Sequence, residues 1–201
     1  FLTGVATDSH RLSSSSLEIK DANEFNPLIL PRKTVFQLCS LLTENFDQLT
    51  MQTSENKIKF TLGNIKLISK VIDGKFPDYK KVVPTENNKI LVLPSKDFIS
   101  SIERVTSVSL DRKEGVKLTI NKDNVQLSVN SANSGEGNER IKADFSSDSL
   151  NISFNSKYLI DIVSEVEDQK LKMNLKDSVS PVLIEDVSDK NSYYVIMPMK
   201  I

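Results

Sequence analysis

The stretch Leu93–Lys96, Leu-Pro-Ser-Lys, ends an apolar run and begins an amphipathic segment, and two more stretches of this kind occur in the chain. Leu30–Lys33 reads Leu-Pro-Arg-Lys, and Phe154–Lys157 reads Phe-Asn-Ser-Lys. The lysines that end them are 63 and 61 residues apart. Similar segments at nearly equal spacing indicate an internal repeat.

The residues after each of these lysines predict a helix with one apolar face. Positions two, three, six and nine residues beyond the lysine are apolar in all three copies. That spacing places the side chains on one face of a helix of about three turns. The positions are Val35, Phe36, Cys39 and Leu42, then Phe98, Ile99, Ile102 and Val105, then Leu159, Ile160, Val163 and Val166.

Alternating apolar and polar residues follow each helical segment and predict antiparallel strands with one buried face. Each repeat is therefore expected to hold a strand, a helix and about three more strands, which places the chain in the α+β class. We expect Ser13–Ser16 to be a polar strand and Ser131–Asn138 to be a flexible loop. The predicted strands after the helices are Leu49–Gln52, Lys57–Leu62, Ile65–Ile72, Val116–Ile120, Val125–Val129, Arg140–Phe145, Leu171–Leu175, Val179–Glu185 and Tyr193–Met197.

The first 20 residues resemble the closing strands of a preceding copy rather than the start of one. We therefore expect the chain to be the C-terminal part of a longer protein, and we expect the first residue of the chain to lie inside a repeat. The polar stretch Pro84–Asn88 separates the first copy from the later ones. Polar linkers of this kind mark domain boundaries, so two domains are predicted, 1–86 and 87–201.

Composition excludes several classes of site. The 201 residues include 26 basic and 27 acidic side chains, so any surface for nucleic acid must be a local basic patch. The single cysteine excludes an intramolecular disulfide, and the single histidine excludes two-histidine metal motifs. No apolar run approaches the roughly 20 residues that a membrane-spanning helix needs. No metal, cofactor or membrane is implied.

Four segments of the chain carry recognisable motifs: Ala6–Leu12, Gly74–Tyr79, Asp177–Asp186 and Tyr194–Ile201. Together they resemble the bacterial DNA polymerase III beta subunit family, the sliding clamps of replication. The resemblance runs from Val5 to the last residue. It implies a DNA-clamp fold, in which repeated strand-helix-strand units place antiparallel sheet outside and helices along a channel. It also implies that residues 1–86 are the C-terminal half or more of the middle domain and 87–201 the C-terminal domain.

The resemblance implies a non-enzymatic processivity factor that acts in the cytoplasm. Two full-length protomers would form a ring around duplex DNA without reading its sequence, with the second protomer meeting the region Ser107–Leu110. A groove for short peptide motifs would tether the polymerase catalytic subunit, the clamp loader and repair enzymes. Its residues, carried over by motif, are Thr7, His10, Arg11, Leu12, Pro77, Lys81, Val82, Asn155, Tyr158, Val179, Ser180, Pro181, Val195, Met197, Pro198, Met199 and Lys200.

Two groove positions depart from the family pattern. Ser9 stands where glycine is usual, which we expect to stiffen the turn. Lys81 stands where arginine is frequent, which keeps the charge and loses the planar fork. Met197 and Met199 are unbranched and suit a groove that takes several ligands. The alternative interpretation is that Val195 and Met197 only fill a core as an edge strand.

Basic residues at the helix starts predict a DNA-facing surface. In a clamp they would touch phosphates loosely, because tight contacts would stop a ring from sliding. The alternative is ordinary solvated lysines, since carboxylates lie on the same helices. The predicted channel residues are Arg32, Lys33, Lys96, Arg104 and Lys157.

The run Asp8-Ser9-His10 supports a rival function, a β-rich hydrolase or ligand-binding domain such as one for sugars. Successive residues of a strand point to opposite faces. The run is therefore poorly arranged to bring a nucleophile, a base and an acid together.

Overall fold

The computed structural model describes residues 1–19, 26–42, 48–108, 115–131, 135–167 and 169–200. The described part contains three α-helices, each beginning one residue before a lysine of the repeat. The predicted helices are thereby confirmed. They are α1 (Arg32–Leu41), α2 (Ser95–Thr106) and α3 (Ser156–Val163).

Along the chain, strands precede and follow these helices in the order that the alternation of apolar and polar residues predicts. A strand precedes α2 and α3, and three or more follow, so the α+β class is confirmed. The strands are β1 (Leu2–Thr7), β2 (Arg11–Leu17), β3 (Leu49–Thr53), β4 (Lys57–Leu62), β5 (Ile65–Lys70), β6 (Lys89–Pro94), β7 (Gly115–Asn121), β8 (Asn124–Ser131), β9 (Gly135–Lys142), β10 (Asp144–Phe145), β11 (Leu150–Asn155), β12 (Lys170–Leu175), β13 (Val182–Asp186) and β14 (Ser192–Ile196).

The chain divides into two compact units, Phe1–Ile19 with Lys80–Ile201, and Lys20–Tyr79. In the first unit, a seven-stranded sheet runs in the order β1-β2-β14-β13-β12-β6-β10 and a four-stranded sheet in the order β11-β7-β8-β9. The second unit holds α1 and the three-stranded sheet β3-β4-β5. The N-terminal hairpin therefore belongs to the sheet that the last strand of the chain completes.

The two repeats of the first unit exchange their leading strands. β6, which leads into α2, pairs with β12 from the repeat of α3, while β11, which leads into α3, pairs with β7 from the repeat of α2. All of these pairs are antiparallel. Neither repeat can complete its own sheet without the other.

One core holds the first unit together. The apolar faces of α2 and α3 supply Phe98, Ile102, Leu159 and Val163, and all four side chains are buried within one cluster that both sheets join. Full burial of each such side chain contributes about 1.5–3 kcal/mol. The helical stripes predicted for these two copies therefore form the core.

The stripe of α1 differs, because its apolar side chains are exposed. Val35 is 42% exposed, Phe36 59% and Leu42 47%. The buried residue of α1 is Thr34, whose hydroxyl hydrogen-bonds that of Ser69 at 2.6 Å. The difference has a physical cause: α2 and α3 cover each other, whereas the described residues of the second unit contain one α-helix.

Some predicted boundaries in the region between α2 and α3 are wrong. Residues 135–138, expected in a flexible loop, begin β9, which pairs with β8 along its whole length. The expected strand Arg140–Phe145 is two strands, because the chain leaves one sheet at Ala143 and enters the other as β10. Residues 132–134 of the expected loop lie outside the described residues. Among the described residues, no helix is both long and apolar enough to cross a membrane.

Candidate functional site

The turn between β1 and β2 carries three of the predicted groove residues. Asp8 Oδ1 accepts hydrogen bonds from the backbone N–H groups of His10 and Arg11, both at 3.0 Å. The Thr7 hydroxyl donates to the Arg11 carbonyl at 2.7 Å and accepts from the Ser9 N–H at 3.2 Å. An aspartate that bonds the backbone two and three residues on is a standard turn-forming device. Thr7, His10 and Arg11 are thus held in one tight loop.

Ser9 has a φ of 74°, in the left-handed region. Glycine adopts this region without cost, whereas a residue with a Cβ pays about 1–2 kcal/mol. The serine noted as a departure from the family pattern therefore occupies the one position of the turn that favours glycine.

A polar cluster joins this turn to the start of α3. The Arg11 guanidinium donates from Nε to Asp8 Oδ2 at 3.1 Å and from Nη1 to Asp161 Oδ2 at 2.7 Å. Its Cζ lies 4.4 Å from the centroid of the Tyr158 ring, within the range of a cation–π contact. The His10 and Tyr158 rings are stacked with centroids 6.3 Å apart. We call these five residues the Arg11 cluster.

The hydrogen bonds of the cluster shift two pKa values. Burial raises the pKa of Asp8, but the His10 N–H and the Arg11 guanidinium outweigh it, so this pKa lies below its ordinary value of 3.8. Burial lowers the pKa of Arg11, and hydrogen bonds to Asp161 and Asp8 raise it above the ordinary value. Both groups are charged at neutral pH; the attraction between Asp8 and Arg11 stabilises the turn, and the Arg11–Asp161 ion pair joins the turn to α3.

The tail after β14 closes over the same region. The Met197 N–H donates to the His10 carbonyl at 2.8 Å, and the Met199 N–H donates to the Ser153 carbonyl at 2.8 Å. Ser153 lies in β11, which belongs to the other sheet. The tail therefore bridges the two sheets, with Pro198 half-buried between the methionines and Lys200 exposed.

The apolar groove residues separate into buried and exposed groups. Leu12 and Val195 are cross-strand partners in β2 and β14 and are only 4% and 3% exposed. Met197, Val82 and Val179 are 41%, 52% and 60% exposed. Leu12 and Val195 thus form a floor beneath the surface, and exposed side chains are available to a ligand. β14 pairs with β13 and β2, so it is not an edge strand, although Val195 itself is buried as the core-filling alternative expects.

Asn155 begins α3 as its N-cap. Its Oδ1 accepts from the backbone N–H groups of Lys157 and Tyr158 at 3.0 and 3.3 Å. An N-cap of this type satisfies backbone donors that the helix leaves unpaired. Asn155 thereby fixes the backbone of the first turn of α3, which carries Tyr158.

Val179 and Ser180 lie in a turn before β13, so the strand predicted from Val179 begins only at Val182. Asp177 Oδ1 accepts from the N–H groups of Val179 at 2.9 Å and Ser180 at 2.7 Å. These two bonds and the Ser180 hydroxyl lower the pKa of Asp177. Pro181 follows the turn, and its carbonyl accepts from the Asn87 side chain at 2.9 Å.

Lys81 and Val82 lie on the short 3-10 helix Tyr79–Val82. Pro77 belongs to the Lys20–Tyr79 unit, so its place in the groove stays a prediction. The structure brings together Thr7, His10, Arg11, Leu12, Tyr158, Asn155, Val195, Met197 and Met199 through the bonds and pairings given above.

The predicted DNA-facing residues are distributed over all three helices. Lys96 and Lys157 are exposed in the first turns of α2 and α3, and Lys33 is exposed at the start of α1. Arg104 donates from Nε to Glu139 Oε2 at 3.0 Å, so its charge is partly balanced. Arg32 lies over the Phe36 ring at 5.0 Å.

The Asp8-Ser9-His10 run does not form a catalytic triad. A triad needs a carboxylate that orients the imidazole. Both oxygens of Asp8 are occupied by backbone N–H groups and by Arg11, and the His10 ring stacks on Tyr158. Among the described residues, no group of three or more His, Cys, Asp or Glu side chains is placed to hold a metal ion.

Sequence reasoning missed two residues that shape this site. Asp161 had been assigned only to the mixed charge of the helices, yet it binds Arg11; its spacing of three residues from Tyr158 puts both on one helix face and could have revealed it. Asn87 had been given no role. Its side chain also donates to the Asn174 carbonyl at 2.8 Å, so it ties the linker to the turn at Pro181.

Comparison with protein families matches two domain models in succession. Residues 1–78 match the central domain of the DNA polymerase III beta subunit, and residues 80–200 match its C-terminal domain. The beta sliding clamp of Caulobacter vibrioides is 33% identical over 201 residues, and that of Escherichia coli K12 is 32% identical over 200. Each match covers the whole chain but only 54% and 55% of the relative, so the chain spans about half the length of these proteins.

Solved structures give the same match. A DnaN sliding clamp from Bartonella birtlesii bound to griselimycin is 39% identical with a TM-score of 0.94, over 99% of this chain and 54% of that one. A DnaN clamp from Pseudomonas aeruginosa bound to griselimycin is 30% identical with a TM-score of 0.93, again over 99% and 54%.

Proposed function

This chain belongs to the DNA polymerase III beta subunit family, and on that basis we propose that it is part of a sliding clamp, the non-catalytic ring that keeps a replicative polymerase on DNA. The family resemblance and the α+β clamp fold predicted from sequence are both confirmed. Such a ring works topologically, because a closed ring cannot leave a long duplex without opening.

The observation that carries the proposal is the convergence of three chain segments on one surface. The β1–β2 turn, the start of α3 and the tail after β14 are joined by the Met197–His10 hydrogen bond and the Arg11–Tyr158 contact. Met197 is exposed and follows β14, the strand in which Val195 is buried beside its cross-strand partner Leu12. An apolar floor with an adaptable methionine and a polar wall suits a short peptide with apolar side chains.

We propose that this groove binds the peptide motifs of the polymerase catalytic subunit, the clamp loader and repair enzymes. The proposed groove comprises the sixteen positions predicted from the motifs that lie in the first unit; Pro77 of the second unit stays a sequence-based prediction. Several partners can share one groove because methionine side chains repack around different ligands. The groove performs no chemistry, so its role is attachment.

The second part of the proposal concerns duplex DNA. Lys96 and Lys157 stand exposed at the same position of α2 and α3, which pack on each other. Lysines on such helices bind phosphates weakly and regardless of sequence, as a sliding ring requires. Arg32, Lys33 and Arg104 complete the proposed channel set. A second protomer would close the ring near Ser107–Leu110, of which Ser109 and Leu110 lie outside the described residues.

The proposal also assigns domains and location. Residues 1–86 would be the C-terminal part of the clamp's middle domain and 87–201 its C-terminal domain; the order of the two matched family models supports this assignment. A replication clamp works on the chromosome, which places it in the bacterial cytoplasm. No observation favours the hydrolase alternative.

Peptide binding tests the proposed function. A fluorescent peptide with a glutamine, a spacer residue and a Leu-Phe pair should bind the chain with a dissociation constant on the order of micromolar, about −8 kcal/mol. Burial of two apolar side chains contributes about 3–6 kcal/mol, and hydrogen bonds of the glutamine add roughly 1 each, against an ordering cost of several. Fluorescence anisotropy measures the affinity.

Matched variants locate the binding site. Met197→Ala should weaken binding at least tenfold with little change in thermal midpoint, since the side chain is 41% exposed. Val187→Ala removes a similarly exposed apolar side chain, 49%, at the far end of β13 and should leave binding unchanged. Lys122→Ala, in the β7–β8 turn, should do the same. Equal affinities for Met197→Ala and Val187→Ala would overturn the groove assignment.

A further inference from the structure

Asp161 is the member of the Arg11 cluster that comes from the helix. It lies one turn after Tyr158 on α3, and its carboxylate reaches Arg11 Nη1 at 2.7 Å across to the β1–β2 turn. Asp8 holds the other side of the same guanidinium through Nε. Arg11 is therefore gripped by two carboxylates from two separate elements.

We propose that Asp161 is a positioning residue of the groove, which holds Arg11 over the Tyr158 ring and so fixes the wall formed by His10, Arg11 and Tyr158. This inference rests on the proposed peptide groove and deepens it. Asp161 itself need not touch a ligand. Its effect reaches the ligand through the two rings and the guanidinium.

Arg11 needs both carboxylate partners to keep one orientation, because its side chain is long and partly exposed. An arginine side chain has several rotatable bonds and adopts many rotamers unless its planar head is held. With Asp8 alone, one hydrogen bond at 3.1 Å between near neighbours in sequence would hold the head, and the head could rotate away from α3. The Asp161 bond spans 150 residues of sequence and sets the distance between turn and helix.

The two carboxylates also determine the net charge of the wall. Asp8 and Asp161 together carry two negative charges against the single positive charge of Arg11. The wall therefore presents ring faces and ordered N–H groups rather than a free cation. The Tyr158 ring contacts both the guanidinium, 4.4 Å from its centroid, and the His10 ring, whose centroid is 6.3 Å away. Release of Arg11 would remove the first of these two contacts.

His10 supplies a specific readout, because it is the single histidine in the chain. Its ring C–H signals in an NMR spectrum are therefore unambiguous, and the stacked Tyr158 ring shifts them. Spectra of the chain without peptide at pH 8.5, above the range in which imidazoles ordinarily titrate, report ring position rather than protonation.

The test compares four proteins. Asp161→Asn keeps the shape of the side chain and removes its charge, and Asp161→Glu restores the charge on a longer stem. Glu165→Gln makes the same charge change in the turn that follows α3. We expect Asp161→Asn to move the His10 signals and to weaken the labelled Gln-x-Leu-Phe peptide about fivefold or more. Glu165→Gln should match the wild type within twofold, and Asp161→Glu should recover part of the affinity.

The outcomes separate this inference from the proposed function. If the wild-type chain does not bind the peptide, the proposed function fails, and the positioning role for the groove fails with it. If the wild type binds and Asp161→Asn binds equally well, the inference alone is overturned, whatever the His10 signals do. Unmoved His10 signals together with weaker binding would also overturn it, because the wall would then not depend on Asp161.

Discussion

Gly137 of β9 lies directly against the backbone of Val105 in α2. A Cβ placed on Gly137 would stand 3.0 Å from Val105 Cα and closer still to the Val105 carbonyl oxygen. The three nearest atoms all belong to the Val105 backbone, so the strand and the helix approach each other at backbone distance. The glycine is the feature that lets β9 pack under the last turn of α2.

Replacement of Gly137 by alanine should therefore destabilise the first unit by about 1–3 kcal/mol, as overpacking typically does. Gly4→Ala in β1 is the matched control, because no atom lies within 4 Å of a Cβ there. Chemical denaturation should show a lower midpoint for Gly137→Ala than for the wild type, and almost no change in midpoint for Gly4→Ala. Equal midpoints for the two variants would contradict the close packing of β9 on α2.

Ser9→Gly should stabilise the chain. The left-handed backbone costs a serine about 1–2 kcal/mol, while a glycine loses about 0.5–1 kcal/mol more entropy on folding. The relief is larger, so we expect a net gain of about 0.5–1 kcal/mol in the free energy of unfolding. Ser13→Gly, in the extended backbone of β2, should lose stability instead. A loss for both variants would show that the turn strain is absent in solution.

Glu185 should make stability depend on pH. Burial raises the pKa of Glu185, but hydrogen bonds from Lys172 and Asn174 outweigh it and lower the pKa below the ordinary 4.5. A carboxylate with a lowered pKa stabilises the fold above its unfolded pKa, and this contribution disappears as pH falls through the folded value. The stability difference between wild type and Glu185→Gln should hold from pH 7 to about pH 5, be smaller at pH 3, and disappear as the pH falls through the folded-state pKa.

Glu86→Gln is the control for that pH series. Glu86 pairs with Lys176 at 2.7 Å, but its side chain is 78% exposed. Exposed ion pairs are screened by salt and contribute little. Its effect should be small at every pH in 0.15 M salt, and a Glu185→Gln effect that persists unchanged at pH 3 would rule out the carboxylate as its source.

Binding of duplex DNA should be weak and sensitive to salt, because each neutralised phosphate releases counterions. Anisotropy of a short labelled duplex should reveal binding at 50 mM salt that fades by about 200 mM. Lys96→Glu with Lys157→Glu should abolish it, whereas Lys122→Glu in the β7–β8 turn should retain it. Sequence-selective binding at high salt would argue against a channel that slides.

The helices and most strands could be predicted from local sequence, because the spacing of apolar residues indicates which face of a helix or strand is buried. Phe98 and Leu159 occupy the same place in their repeats and are both buried. Strand partners could not be predicted this way. The exchange of β6 and β11 between repeats depends on contacts between distant segments. The beginning of β9 was missed because the Gly135–Gly137 sequence is typical of a loop.

The groove positions came from motif resemblance, and the structure explains which of them are exposed. Leu12 and Val195 were expected to meet a ligand, yet they are cross-strand partners in β2 and β14 and both side chains are buried. The spacing of Asp161 and Tyr158 indicates that they share a helix face, but the pairing of Asp161 with Arg11 is a contact between distant segments that no local pattern records.

The pairing of β2 with β14 sets a schedule for folding during synthesis. Ser15 and Ser192, whose hydroxyls meet at 2.9 Å, are separated by 177 residues. A ribosome adds about 5–20 residues per second, so the β1–β2 hairpin waits roughly 10–35 s for its neighbour. During that time one edge of β2 is open, and exposed strand edges invite association with other nascent chains. The four consecutive serines make β2 a polar strand, which favours its solvation until β14 has been synthesised.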